Sequence, residues 1–125
     1  MADATAEFFD ELAQRGREPL LQKATGTLRF DLVQGKRTEH WLLAVKKGDL
    51  TVSHRNIRAD CVVRADEALF DRIASGEANA MAALLRGEMG VEGDVELLVS
   101  FQRLFPGPPR SRDRRRAAGY ARRQP

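Results

Sequence analysis

The chain has 125 residues, of which 42% are hydrophobic and 31% charged, and a formal net charge of +3. This length favours one domain that can bury a sizeable core, and no apolar run approaches the ~18 residues expected of a membrane-spanning helix. The single cysteine, Cys61, excludes an intramolecular disulfide. The acidic, amphipathic start of the chain is unlike a secretory signal, so we expect a cytoplasmic protein.

The basic charge is concentrated near the C-terminal end. Residues 1–105 carry 14 basic and 17 acidic side chains, a net charge of −3, whereas residues 106–125 carry seven arginines against Asp113. The acidic body argues against a nucleic-acid-binding domain. Few apolar residues and a dense block of like charge predict that residues 106–125 form a disordered basic tail. We expect this tail to make transient contact with anionic membranes.

The first half of the chain has the pattern of one helix followed by four strands. Thr5 is a candidate N-cap for a helix that ends at Gly16. Alternation of apolar and polar residues then predicts strands, with turns at Gly35 and Gly48 between the first three. The four strand segments are GTLRFDLVQ, TEHWLLAVKK, LTVSH and RADCVVRA. Their succession predicts an antiparallel meander.

The second half of the chain has the pattern of two helices, a short strand and a last helix. Asp66 and Asp94 are candidate N-caps for the first and last of these helices. The middle helix lies within EANAMAALLRG, with residues 81, 84 and 85 predicted to point inward, and the strand is EMGVEG. Pro106 stops the last helix. This order predicts an α+β fold in which a five-stranded, mainly antiparallel sheet is covered on one face by about four helices.

Candidate catalytic and metal-binding groups are sparse. The two histidines, His40 and His54, lack metal-ligand spacing, and the sequence contains no Cys-x-x-Cys and no phosphate-binding loop. No orienting motif supports a Cys-His dyad, and a buried inert thiol is the better interpretation of Cys61. We therefore expect no catalytic residues, no metal and no cofactor.

Apolar residues are abundant for a body of this size. Most of them must form the core, but methionine and aliphatic side chains also line adaptable ligand pockets. The residues predicted to bind a hydrophobic ligand come from the first helix, the second strand and the region from the third helix onwards. They are Phe8, Leu12, Trp41, Leu43, Met81, Leu84, Leu85, Met89, Val91, Leu97, Phe101, Leu104 and Phe105.

Three segments, in the expected order, resemble the sterol carrier protein 2 family of lipid-binding domains. GEMGVEGD is similar to the glycine-bounded signature of that family, SGEANAMAALLRG to the helix before it, and LRFDLVQGKRTEHWLLAVKKGDLTV to its opening strands. Gly90 departs from the pattern, where a bulkier residue is usual. The resemblance covers about residues 7–105. It implies an apolar tunnel between sheet and helices that holds a sterol, a fatty acid or an acyl thioester without catalysis, in a stand-alone bacterial protein.

Two other functions stay open. The body could be a non-catalytic interaction module that docks onto an enzyme of lipid metabolism, in which case we expect the pocket to be collapsed. Nucleic-acid binding through the arginine-rich tail is the third hypothesis, but Tyr120 alone supplies an aromatic ring there, and stacking on aromatic rings is typical of such binding. We therefore expect no nucleic-acid partner. The sequence leaves the identity of the lipid and the oligomeric state open.

Overall fold

The computed structural model describes residues 4–106, which form a five-stranded sheet with helices packed against it. The helices are α1 (Ala4–Arg15), α2 (Glu67–Ala74), α3 (Ala80–Leu85) and α4 (Val95–Phe101). The strands are β1 (Thr25–Gln34), β2 (Arg37–Lys46), β3 (Asp49–Ser53), β4 (Cys61–Asp66) and β5 (Met89–Gly93). Single turns of 3-10 helix lie at Pro19–Leu21 and Gln102–Leu104.

The predicted basic tail lies almost entirely outside the described residues. Of the predicted tail, Pro106 is described and residues 107–125 lie outside, so the disorder and the membrane contact predicted for them stay predictions. Within residues 4–106, no helix combines the length and the apolar character that crossing a membrane requires.

The sheet has the strand order β3-β2-β1-β4-β5. Three of its four pairings are antiparallel, which confirms the mainly antiparallel sheet, but β4 lies parallel to β1. The prediction of a consecutive meander is therefore wrong. Residues 54–60 have the composition of a polar turn, yet they cross from the β3 edge to the far side of β1.

Two contacts hold this crossover segment, residues 54–60, against the sheet. Arg29 Nη1 donates to the carbonyl oxygen of Ile57 at 2.9 Å. The Nδ1 atom of His54 lies 3.1 Å from the carbonyl oxygen of His40. The pairing of β4 with β1 thus depends on backbone and side-chain contacts between distant residues, which no local pattern encodes.

The core lies between one face of the sheet and the helices. Because successive strand residues point to opposite faces, the paired strands align their apolar residues on the helix side. The buried strand residues on that side are Leu28, Phe30, Leu32, Trp41, Leu43, Val45, Leu50, Cys61, Val63, Ala65 and Met89. The helices bury Phe9, Leu12, Phe70, Ile73, Leu97, Leu98 and Phe101 against them.

The three predicted helix caps have different outcomes. Asp94 caps α4 as predicted, since its Oδ1 accepts from the Glu96 amide at 3.1 Å. Asp66 occupies the N-cap position of α2, but its side chain makes no capping hydrogen bond within the described residues. Thr5 lies inside α1 and is fully buried. Its Oγ1 donates to Asp71 Oδ1 at 2.5 Å and joins α1 to α2.

The predicted inward orientation of Leu85 is wrong, because its side chain is 85% exposed. Helix α3 begins at Ala80, after Asn79, whose Oδ1 accepts from the Ala82 amide at 2.8 Å. Each residue turns the helix by about 100°, so Leu85 points away from the face on which Ala80 and Ala83 are buried. With six residues, α3 makes fewer than two turns, so this face carries few buried side chains.

Gly93 joins β5 to α4 at a point where the backbone leaves no room for a side chain. Its φ is +94°, and a Cβ atom placed there would lie 2.2 Å from the carbonyl oxygen of Asp60. That same oxygen accepts from the Asp94 amide at 2.8 Å. The glycine therefore allows the cap of α4 to form directly against the end of the crossover segment.

Candidate functional site

All six phenylalanines and the single tryptophan form one continuous group of rings in the interior. We call this group the aromatic cluster; it comprises Phe8, Phe9, Phe30, Trp41, Phe70, Phe101 and Phe105. At its centre, the ring of Phe9 stacks on Trp41 and on Phe70, with centroid distances of 4.6 and 5.8 Å. Stacked and edge-to-face rings attract each other beyond the burial of their area, so these contacts join α1, α2 and the sheet.

The cluster reaches the surface through Phe8 on α1 and Phe105 after the last helical turn. We call these two residues the outer pair. Both are partly buried, and their rings stack with a centroid distance of 5.2 Å. Each ring also meets Phe101 edge-on, at 6.0 Å from Phe8 and 5.3 Å from Phe105. The outer pair therefore covers the buried part of the aromatic cluster, and each of its two rings is only partly packed against the core.

Two surface grooves flank the outer pair. The α1 groove has a volume of about 320 Å³ and is lined by Phe8, Leu12 and Leu104, with charged residues of α1 on its rim. The α3 groove has a volume of about 270 Å³ and is lined by Ala78, Ala80 and Phe105, with polar residues on its rim. Pro106 borders both grooves. The C-terminal segment that carries Phe105 thus separates them.

The rings behind the outer pair are closely packed. Phe9, Phe30, Phe70 and Phe101 are fully buried; the first three rings contact one another, and Phe101 contacts Phe30. The open tunnel that the family resemblance implies does not lie between these four rings in this structure. A ligand placed there requires the outer pair, or the helices that carry it, to move.

The predicted ligand-binding residues fall into three groups by burial. Fully or almost fully buried are Leu12, Trp41, Leu43, Met89, Leu97 and Phe101; partly buried are Phe8, Met81, Leu84, Val91, Leu104 and Phe105; Leu85 is exposed. The structure brings the four aromatic members together in the aromatic cluster. The role of each residue in ligand binding stays a prediction.

The prediction missed three members of the aromatic cluster, Phe9, Phe30 and Phe70. A two-residue turn after Gln34 would have placed Phe30 opposite Trp41, as it is in the sheet. Phe9 and Phe70 were assigned to helices without being placed near the ligand. The signal that could have found all three is that nearly every aromatic residue of the body lies on a predicted inner face.

A charged cluster on the opposite sheet face was also missed. Asp31, 5% exposed, accepts from Arg29 Nε and Nη2 at 2.9 and 3.0 Å, and its Oδ1 lies 2.7 Å from His40 Nδ1. Burial alone would raise the pKa of Asp31, but the hydrogen bonds and charges of Arg29 and His40 outweigh it and lower the pKa. Since Arg29 also binds the crossover segment, this cluster has a structural role that accounts for its burial.

Nothing in the described residues resembles a metal centre or a nucleophile with its base. Within residues 4–106, no three residues of the types His, Cys, Asp and Glu are grouped closely enough to hold a metal ion. Burial, together with the charge of Asp94, raises the pKa of the Cys61 thiol, so the thiol is protonated at neutral pH. The ring of His54 packs on Trp41 with a centroid distance of 4.0 Å, and His40 is bound to Asp31.

The sequence model of the SCP-2 sterol transfer family matches residues 8–106. A search of curated proteins found no match.

Solved structures with a similar fold include two sterol carrier proteins. Sterol Carrier Protein 2 from Yarrowia lipolytica, in its apo form, is 22% identical, covers 82% of this chain and 84% of that chain, and has a TM-score of 0.62. Sterol Carrier Protein-2 from Aedes aegypti, in complex with palmitate, is 22% identical, covers 85% of this chain and 100% of that chain, and has a TM-score of 0.63. At this identity the likeness establishes the fold.

A third similar structure belongs to a much larger enzyme. The inverting sec-alkylsulfatase Pisa1 from Pseudomonas sp. is 24% identical over 80% of this chain, with a TM-score of 0.62. The match covers 16% of the alkylsulfatase chain. The fold of this chain therefore also occurs as a small part of a longer protein.

Proposed function

Because this chain belongs to the SCP-2 sterol transfer family, we propose that it binds one long apolar chain between its sheet and its helices and catalyses no reaction on it. The observation that carries the proposal is the aromatic cluster, which extends from the buried face of the sheet to a partly buried outer pair between two grooves. The sterol carrier protein from Aedes aegypti, which shares the fold, is described in complex with palmitate. That complex supports a fatty acyl chain as the ligand.

Burial of the acyl chain supplies the binding free energy. Each methylene removed from water contributes about 0.8 kcal/mol, so a sixteen-carbon chain offers roughly 12 kcal/mol. Ordering of the ligand and of the protein takes about 4 kcal/mol or more. The difference corresponds to a dissociation constant of about 1 μM.

The geometry of the outer pair indicates how the chain reaches the interior. Rotation of Phe105 away from Phe8 would join the α1 groove and the α3 groove above the aromatic cluster. Phe101 contacts both outer rings, so the same motion would expose its edge to the ligand. In the liganded protein, the acyl chain then takes the position of the displaced rings.

Titration with palmitate tests this function. Trp41 is the single tryptophan and stacks on Phe9 within the cluster, so its fluorescence should change on binding. We expect one palmitate per chain with a dissociation constant of about 1 μM. Mass spectrometry should recover palmitoyl thioester unchanged after incubation with the protein. No binding up to the solubility limit, or stoichiometric hydrolysis of the thioester, would contradict the proposal.

Octanoate is the matched control ligand for that titration. It is eight methylenes shorter than palmitate and offers roughly 6 kcal/mol less burial, so we expect no measurable binding. Equal affinity for octanoate and palmitate would show that burial of the chain is not the source of binding.

A second candidate function is that of a non-catalytic module that docks onto an enzyme of lipid metabolism. Two observations favour it: the four rings behind the outer pair are fully buried and packed on one another, and a similar fold occupies 16% of the length of an alkylsulfatase. The palmitate titration separates the two functions. A chain that keeps its fold but binds no acyl ligand has the properties of the module.

A further inference from the structure

The two grooves beside the outer pair differ in charge. The rim of the α1 groove carries Glu7, Glu11 and Arg15. Arg15 is already engaged, since it pairs with Glu11 at 3.2 Å and also with Glu18. The α1 groove therefore presents an excess of carboxylate, and its cation, Arg15, is already paired with two carboxylates.

The α3 groove has the opposite character. Its charged rim residue is Arg103, which lies on the turn Gln102–Leu104, two positions before Phe105. The side chain of Arg103 is exposed and, among residues 4–106, forms neither an ion pair nor a hydrogen bond. The other polar rim residues, Asn79 and Gln102, are uncharged.

Asn79 adds donors to this rim. Its amide oxygen is used to cap α3, where it accepts from Ala82, so the amide NH2 group is the part that can bind a ligand. A guanidinium and an amide NH2 are both hydrogen-bond donors that suit a carboxylate or a phosphate.

Arg103 also borders a second groove of about 580 Å³, together with Lys23, Asp94 and Glu96. Asp94 in that groove is engaged in the cap of α4.

We propose that the anionic headgroup of the acyl ligand, a carboxylate or a phosphate, binds to Arg103 at the rim of the α3 groove. The inference rests on the proposed function, because it needs the chain to lie over the aromatic cluster. Arg103 attracts the anion at one side of Phe105, while Glu7 and Glu11 repel it at the other. The charges thus fix the direction in which the ligand lies.

The test compares palmitate with hexadecanol, which has the same chain length and no charge. Both ligands are titrated into the wild-type protein, the Arg103→Gln variant and the control variant Arg55→Gln, whose arginine is exposed outside the described grooves. We expect Arg103→Gln to weaken palmitate binding about three- to tenfold, as for a partly exposed charged hydrogen bond. Its hexadecanol affinity, and both affinities of Arg55→Gln, should match the wild type. The effect on palmitate should shrink at high salt.

Each outcome bears on one of the two proposals. If hexadecanol binds the wild-type protein and Arg103→Gln weakens both ligands equally, or neither, the headgroup site is overturned and the proposed function stands. If neither ligand binds the wild-type protein, the proposed function fails and the headgroup site fails with it.

Palmitoyl lysophosphatidate, titrated in parallel, distinguishes a phosphate headgroup from a carboxylate headgroup. A larger loss of affinity for it than for palmitate identifies the phosphate as the preferred headgroup, and a smaller loss identifies the carboxylate.

Discussion

Replacement of Phe101 by alanine should lower the free energy of unfolding by about 3–5 kcal/mol. The ring of Phe101 is fully buried and contacts Phe8, Phe30 and Phe105, with centroid distances of 6.0, 5.4 and 5.3 Å. The variant leaves a cavity where α4 meets the sheet, and neighbouring side chains on paired strands cannot collapse into it. Urea denaturation of the purified variant measures the loss.

Phe105→Ala is the matched control for that experiment. Phe105 lies four residues further along and contacts Phe8, Phe70 and Phe101, but it is only partly buried. We expect a loss of about 1–2 kcal/mol, since less apolar area is removed from contact. The control should also bind palmitate at least as well as the wild type, because the ring to be displaced is absent. Equal losses of stability in the two variants would contradict the division into an interior and an outer pair.

Gly93→Ala should lower the free energy of unfolding almost as much as Phe101→Ala. An alanine with φ near +94° is strained by about 1–2 kcal/mol, and its Cβ would lie 2.2 Å from the carbonyl oxygen of Asp60. Relief of such overlap by backbone shifts typically costs about 1–3 kcal/mol more. We therefore expect a total loss of about 3 kcal/mol, measured by urea denaturation.

Gly87 provides the control that separates these two contributions. Its φ is +78°, and no described atom lies within 4 Å of the position that a Cβ would take. Gly87→Ala should thus lose about 1–2 kcal/mol, which reflects backbone conformation alone. If Gly93→Ala is no more destabilising than Gly87→Ala, the close approach of Asp60 to this glycine is not a feature of the folded protein.

Local patterns predicted the elements and their buried faces. Alternation assigns Leu28 and Phe30 to one face of β1 and Trp41 to one face of β2, and in the structure these are the faces that are buried against the helices. Asp94, just before α4, was predicted to be an N-cap because a short polar side chain ahead of an apolar helical run can accept a hydrogen bond from the first helical amides. These features depend on residues close together in the chain, which is why the sequence was sufficient to predict them.

Features that depend on distant residues were not predictable in the same way. The parallel pairing of β4 with β1 needs the crossover segment to pass over β2, and its composition is that of an ordinary turn. The contact between Asp31 and His40 needs the register of β1 on β2. That register follows once a two-residue turn at Gly35 is assumed, so this part of the charged cluster was within reach of the sequence.

The candidate site was predicted in outline and not in detail. The predicted set grouped Phe8, Trp41, Phe101 and Phe105 with residues of the third helix, but burial of the individual side chains in that helix depends on where α3 begins. A start at Ala80 in place of Glu77 leaves Leu85 in solvent. The grooves and their difference in charge arise where three separate segments meet, and no single segment carries a signal for them.

The position of a bound acyl chain is the most direct test of the account. We would add stearate with a nitroxide near its methyl end to isotope-labelled protein and measure the paramagnetic broadening of NMR signals. We expect strong broadening of the Trp41 indole N–H and of the Phe30 ring, on the helix side of the sheet, with little effect on Arg64 on the other face. Broadening confined to exposed side chains such as Leu20 and Val99, with the Trp41 signal unchanged, would contradict it.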